Sequence, residues 1–186
     1  MDVLGALTRR VILLVSMGAC VLVGAPPPTL AEGPSREPEI KAAFLYNFIK
    51  FVDWPTEFLP DTSDTITICV LRTDTFGDAL ESLRGKTVKG RRLAIRRIEP
   101  GRAVDSCHVL FVGSSEEQRL SQVMQSVQRS SVLTVGETNE FLHSGGIINF
   151  VIERNKVHFE INLNSAERAR LKLSSQLLGL ATVVRQ

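Results

Sequence analysis

The sequence predicts an α/β layered sandwich: a mostly parallel central sheet of about six strands, with an antiparallel hairpin at one edge and helices on both faces. Three observations carry this prediction. Short apolar runs without alternation, such as Ile66 to Leu71 (ITICVL), read as strands covered on two sides. These runs alternate along the chain with segments of helical periodicity. Further on, Ile147 to Glu153 and Val157 to Leu163 flank Arg154-Asn155-Lys156, and Val157, Phe159, Ile161 and Leu163 alternate with His158, Glu160 and Asn162, as in a hairpin with one wet face.

The 186 residues, 44% of them hydrophobic, provide for one ordinary domain and a leader. Arg9 and Arg10 precede a nearly unbroken apolar run from Val11 to Ala25, about as long as a signal-peptide core and too short for a membrane span. Thr29-Leu30-Ala31 offers the small residues that a signal peptidase accepts, so residues 1–31 read as a signal peptide and the mature chain as starting near Glu32. The rival is lipoprotein processing at Cys20; Met17 and the apolar run that continues beyond the cysteine count against it. Residues 32–38 read as a linker and residues 39–186 as the single domain.

The domain opens with an apolar, aromatic helix from Glu39 to Asp53. Phe44, Phe48 and Phe51 fall on one flank and Leu45, Ile49 and Val52 on the next, with Lys41, Asn47 and Lys50 left for solvent. Trp54 precedes Pro55, which biases it away from helical geometry and ends the helix. Such a helix could lie on a membrane; apolar groups on two flanks favour docking into its own domain. The strand from Ile66 to Leu71 is followed by a helix from about Thr75 to Leu83, closed by Gly85. Arg91 to Ile98 (RRLAIRRI) reads as an edge strand because of its charges. A buried strand then ends at Gly113, and a helix starts at Ser115, where Ser115 and Gln118 can form a capping box, and runs to about Gln128. Ser131 to Val135 is a short buried strand, Asn139 to His143 a turn or short helix, and Gly145-Gly146 opens the hairpin. Asn164, with Glu167 three residues on, caps a closing helix to about Val184, with Leu173, Leu177 and Leu180 on one face.

Composition and motifs exclude more chemistry than they offer. A leader carrying Asp2, Arg9 and Arg10 takes two of the 22 basic and one of the 20 acidic residues, which leaves a net charge near +1 and no case for a nucleic-acid partner. No dinucleotide fingerprint, P-loop, zincin motif or nucleophile elbow occurs, so no catalytic residues, cofactor or metal are predicted. His108, His143 and His158 lie in different elements, and Cys107 and His108 point to opposite faces of one strand. Without Cys20 the chain keeps Cys69 and Cys107, an even pair that in an exported protein reads first as a disulfide and otherwise as two buried thiols. A bridge across that span stabilises by roughly 3 to 4 kcal/mol in the chain-entropy model. Gly113-Ser114-Ser115 at a strand end could hold an anion, or could simply be a capped helix start. The cations Lys86, Lys89, Arg91, Arg92, Arg96 and Arg97 could meet an acidic partner or lipid head groups, or line a solvated sheet edge.

The stretches AAFLYNFIKFVDWP, GGIINFVIERNKVHFEIN and LKLSSQLLGLATVVR, in this order, resemble the YfiR family of periplasmic repressors of a membrane-bound diguanylate cyclase, over about Ile40 to Arg185. The resemblance implies a non-catalytic α/β domain, often a homodimer, that binds the periplasmic sensor domain of the cyclase. It also implies an outer-membrane lipoprotein that can sequester the repressor. Cys69 and Cys107 stand where the family has a disulfide. The chain departs from the family at a second cysteine pair, whose places are held by His143 and Phe150, which removes redox control through that bridge.

The function expected is therefore a regulatory binding protein in cyclic-di-GMP signalling and biofilm control, with Phe150, Glu153, His158 and Glu160 as exposed contact residues of the hairpin. The alternative is a periplasmic small-molecule sensor or carrier, binding at strand carboxyl ends near Arg72, Thr73 and Ser114 and acting on another receptor.

Overall fold

A computed structural model describes residues 36–71, 76–99, 101, 104 and 106–185. The proposed leader, Cys20, most of the linker, Arg72, Thr73 and Thr75 lie outside the described residues. Helix α1 (Glu37–Phe51) begins two residues earlier than expected, with Pro38 in its first turn and Glu37 and Glu39 facing the positive end of its dipole. It also ends earlier, because Val52 turns extended and β1 (Val52–Asp53) pairs antiparallel with β9 (Lys172–Leu173). Trp54 fixes the exit: it is buried, and its indole Nε1 donates to the His108 carbonyl at 3.3 Å.

The remaining strands form one sheet of β2 (Thr65–Leu71), β3 (Thr87–Val88), β4 (Arg91–Ile98), β5 (Val109–Val112), β6 (Leu133–Gly136), β7 (Ile148–Glu153), β8 (Lys156–Asn162) and β10 (Val183–Arg185). Their spatial order is β10-β8-β7-β6-β5-β2-β4-β3. All neighbouring pairs are parallel except β3 with β4 and the hairpin β7 with β8. The charged strand β4 is therefore not the edge, since β3 pairs with its outer side. Nor is the hairpin an edge, since β10 covers β8.

One face of the sheet presents Ile66, Ile68, Val70, Val109, Phe111, Leu133, Val135, Ile148, Phe150, Phe159 and Ile161 to a core shared with α1, α2 (Asp78–Glu81), α4 (Leu163–Arg168) and α5 (Ser175–Leu180). The other face packs Cys69, Leu71, Leu110 and Val112 against Leu120, Val123, Met124 and Val127 of α3 (Leu120–Val127). Helices thus cover both faces, as the sequence predicts. Phe141 lies in a slot between Gly136 and Gly146, and a Cβ at either glycine would overlap its ring.

Two helical expectations change. Residues Ser114–Arg119 form a 3-10 turn with Gly113 at its N-cap and no side-chain cap, so the Ser115–Gln118 capping box does not form. The closing helix is broken into α4, β9, α5 and β10. Asn162, not Asn164, caps α4 by accepting from the Ser165 amide at 2.9 Å, and the Ser174 hydroxyl caps α5 by accepting from Leu177 at 3.2 Å. Arg170 between them has a φ of 57°, which no helix interior accommodates. Val183 and Val184 then favour strand geometry and pair with β8, and the Thr182 amide donates to the Phe159 carbonyl at 2.9 Å.

Four phenylalanine rings join α1 to the hairpin. Phe48 stacks on Phe44 (5.9 Å between centroids) and on Phe150 (5.7 Å), and meets Phe159 edge-on at 4.9 Å. Phe48 is fully buried. Phe48→Ala is expected to cost about 3 to 5 kcal/mol, measured by urea denaturation, and Phe48→Glu to leave no folded protein; a folded, soluble Phe48→Glu chain would contradict this packing.

His108 provides a second expectation. Its Nδ1 accepts from the Thr67 amide at 3.0 Å, which requires the neutral ring, while Phe58 packs edge-on against it. Burial, helped by the nearby Arg91 cation, lowers its pKa below the ordinary histidine value. The unfolded chain therefore takes up this proton at a higher pH than the folded chain. The contribution to stability is complete above about pH 6.5 and is lost as pH falls toward the depressed folded value. Asn at this position can keep an acceptor for Thr67 without titrating, so His108→Asn should lose less stability than the native chain between pH 7.5 and 5.5 in urea melts. Equal losses would rule His108 out as the titrating group.

Candidate functional site

Two polar regions stand out from the apolar body: a buried ion cluster at the carboxyl ends of β5 and β6, and the open face of the hairpin. In the first, Lys41 of α1 reaches the end of β6, where its ammonium donates to Glu137 Oε2 at 2.7 Å and pairs with Glu37 one turn back at 2.5 Å. The other oxygen of Glu137 accepts from the Ser114 amide at 3.1 Å. The anion-binding turn read from Gly113-Ser114-Ser115 thus receives a carboxylate of the chain itself. Ser114, a residue of the alternative ligand site, has its amide directed at Glu137.

Lys41 corrects an expectation. It was placed toward solvent, yet it is 3% exposed, and its ammonium also lies 5.9 Å from the centroid of the Phe150 ring. Burial opposes its charge, but the hydrogen bonds to Glu137 and Glu37 outweigh burial and raise its pKa above the ordinary lysine value. The signal was present in the spacing, since Lys41 precedes Leu45 by four residues and Phe48 by seven, on the helix stripe that docks.

The register of the hairpin sorts the expected contact residues. Phe150 opposes Phe159, Val151 opposes His158, Asn149 opposes Glu160, and Glu153 opposes Lys156. Directly opposed residues share a face. Phe150 therefore points into the α1 core with Phe159 and is 3% exposed, which corrects its assignment as an exposed contact. Glu153, His158 and Glu160 share the opposite face with Val151 and Lys156. Glu153 is exposed, and His158 and Glu160 are half-buried. Glu160 Oε2 accepts from Arg185 of β10 at 3.3 Å, and the same guanidinium reaches His143 Nε2 at 3.1 Å.

Cys69 and Cys107 form a disulfide with a Cα separation of 5.6 Å, tying β2 to the residue two before β5. Both are fully buried on the α3 side, and Arg96 of β4 lies 3.7 Å from the Cys107 sulfur. Among the described residues, no group of three His, Cys, Asp or Glu side chains is placed to hold a metal ion, and no helix is long and apolar enough to cross a membrane.

The buried pair makes a direct expectation. Lys41→Met removes the ammonium from Glu137, whose side chain is 8% exposed, and should cost about 3 to 5 kcal/mol. Lys41→Met combined with Glu137→Leu should recover much of that loss. Chemical denaturation of the two single variants and the double variant measures the coupling, and additive losses would contradict it.

Comparison with solved structures places the fold in known company. A conserved domain protein from Vibrio cholerae O1 biovar El Tor superposes with a TM-score of 0.51 at 12% identity, covering 80% of this chain and 60% of that one. The present chain thus spans about 60% of that relative's length, and the likeness is one of fold. The ABC domain from Streptococcus pneumonia, solved in complex with L-Trp, matches with a TM-score of 0.47 at 12% identity over 64% of this chain and 55% of that one. The family model described as YfiR/HmsC-like matches residues 38–182, which takes in α1, the disulfide, the hairpin and α5. The chain belongs to the YfiR/HmsC-like family.

Proposed function

We propose that this chain is a periplasmic regulatory binding protein of cyclic-di-GMP signalling, which binds the periplasmic sensor domain of a membrane-bound diguanylate cyclase and holds its output low. Family membership supports the regulatory role. The observation that carries the reading is the asymmetry of the hairpin: one face is locked into the core by Phe150 and Phe159, and the other presents Glu153, His158 and Glu160. A polar, charged face on a rigid support suits a reversible protein contact. Repression then needs only differential affinity, with the chain binding the inactive conformation of the receptor more tightly than the active one. An outer-membrane lipoprotein that competes for the chain would relieve it. In this reading residues 1–31 are the export signal, the mature chain starts near Glu32, and the protein acts as a homodimer.

The test is calorimetric titration of the disulfide-bonded chain Glu32 to Gln186 into the periplasmic domain of the membrane diguanylate cyclase encoded nearest to it. Saturable binding with a defined stoichiometry is expected. The double variant Glu153→Lys with His158→Ala should weaken it about tenfold or more, about 1.4 kcal/mol. Absence of heat at high micromolar concentration with both proteins folded would overturn the assignment of this receptor.

A further inference from the structure

We infer that β10 is the surface through which two copies of the chain join, edge to edge, across a two-fold axis at Val184. The inference rests on the homodimer of the reading above and names its interface. β10 ends the eight-stranded sheet and is exposed throughout, and among the described residues no strand pairs with its outer side. The other end of the sheet is guarded: β3 is two residues long, and the exposed Lys86 and Lys89 flank it. β10 has no such guard. Its one charge, Arg185, is held by Glu160 of β8 at 3.3 Å. Among the large apolar side chains left exposed in the described residues, Leu180, Val183 and Val184 all lie in this strand or just before it.

The pairing of β8 fixes which backbone groups of β10 face outward. The Asn162 amide donates to the Ile147 carbonyl on the β7 side at 2.8 Å, and the Phe159 carbonyl accepts from the Thr182 amide on the other side at 2.9 Å. Odd-numbered residues of β8 therefore bond toward β10. Ile161 is one of them and lies opposite Val184. In a parallel pair a bonding residue reaches the residues on either side of its opposite number, and that residue turns its own groups away. The N–H and C=O of Val184 thus point out of the sheet.

An outward-facing residue on a two-fold axis meets itself. With Val184 antiparallel to Val184 of the second copy, the pair exchanges both N–H···O bonds, as in the closely bonded pairs of an antiparallel ladder, and the two sheets become one. The same register sets Val183 beside Arg185 of the second copy, on the face that carries Glu160. There the apolar stem of Arg185 covers the exposed Val183 while its guanidinium keeps Glu160. Each contact recurs by symmetry, as an isologous interface requires. A foreign strand would take the same backbone bonds, but only a second copy brings the matching Arg185 stem with it. The contact is small, so the dimer should dissociate on dilution in the micromolar range.

Sedimentation equilibrium of the disulfide-bonded chain Glu32 to Gln186, with amide exchange by NMR over the same range of about 20 to 1000 μM, tests this. A monomer–dimer equilibrium is expected. The Val184 amide, unbonded within one copy, should gain protection about fivefold or more as the dimer fills. Val184→Pro removes only the outward donor, at an edge where proline is tolerated, and should weaken association about tenfold or more with the fold kept. Ile40→Lys, at an exposed apolar position of α1, should leave association unchanged. A monomer throughout the range, a Val184 amide whose protection ignores concentration, or a dimer that Val184→Pro leaves as tight as before would overturn the proposal. None of these readouts involves the receptor, so they stand whatever the titration with it returns.

Discussion

The packing of Phe44 and Phe48 of α1 on Phe150 and Phe159 of the hairpin is the interaction on which the rest of the arrangement depends. Each such aromatic pair contributes about 0.5 to 1.5 kcal/mol beyond the area it buries. Its second effect is on register. Phe150 and Phe159 are cross-strand partners, so a slip of one residue would carry a polar side chain into the core and a phenylalanine into water. By seating these rings α1 also determines which side chains of β7 and β8 are left outside. The aromatic helix and the polar hairpin face are one constraint seen from two sides.

The charged groups obey the same geometry. Lys41 lies on the docking stripe of α1, and its charge is tolerated in the interior only because Glu37 and Glu137 meet it there. Through Glu137 the contact reaches the Ser114 amide at the end of β5, so α1, β6 and the 3-10 turn share one network. On the opposite side of the sheet the disulfide fixes β2 to the approach of β5 under α3. Among the described residues, the body is thus held by apolar contact, the buried cluster around Lys41 and the Cys69–Cys107 disulfide. The hairpin face and β10 lie outside it.

Much of this was legible in the sequence, for identifiable reasons. Buried strands stood out because runs such as ITICVL and VLFV have no polar alternation, and Trp54-Pro55 marked the end of α1 because proline constrains the residue before it. The cysteine pair was legible as the two cysteines that remain once Cys20 is assigned to the leader. Phe150 was misplaced because the turn was read as the three residues Arg154-Asn155-Lys156, which sets it opposite Glu160; the two-residue turn Arg154-Asn155 pairs it with Phe159 and puts it inside. Lys41 was misplaced because residue type was weighed above position. The broken closing helix was hidden by the helical spacing of Leu173, Leu177 and Leu180, of which only Leu177 is fully buried, while Leu180 is 66% exposed. The pairing of Lys41 with Glu137, 96 residues apart, leaves no local trace that one sequence could show.

The proposed receptor contact lies on the hairpin face opposite the phenylalanines, and thiol labelling reads that contact position by position. In the chain Glu32 to Gln186, which lacks Cys20, and with Cys69 and Cys107 joined, a single reactive cysteine introduced by Glu153→Cys or His158→Cys reports on the outer face, and one introduced by Ile152→Cys reports on the face that shares the core. The account predicts that the receptor's periplasmic domain slows maleimide labelling about tenfold or more at positions 153 and 158 and leaves position 152, which is 45% exposed, unchanged. Protection at 152 with none at 153 or 158 would contradict it.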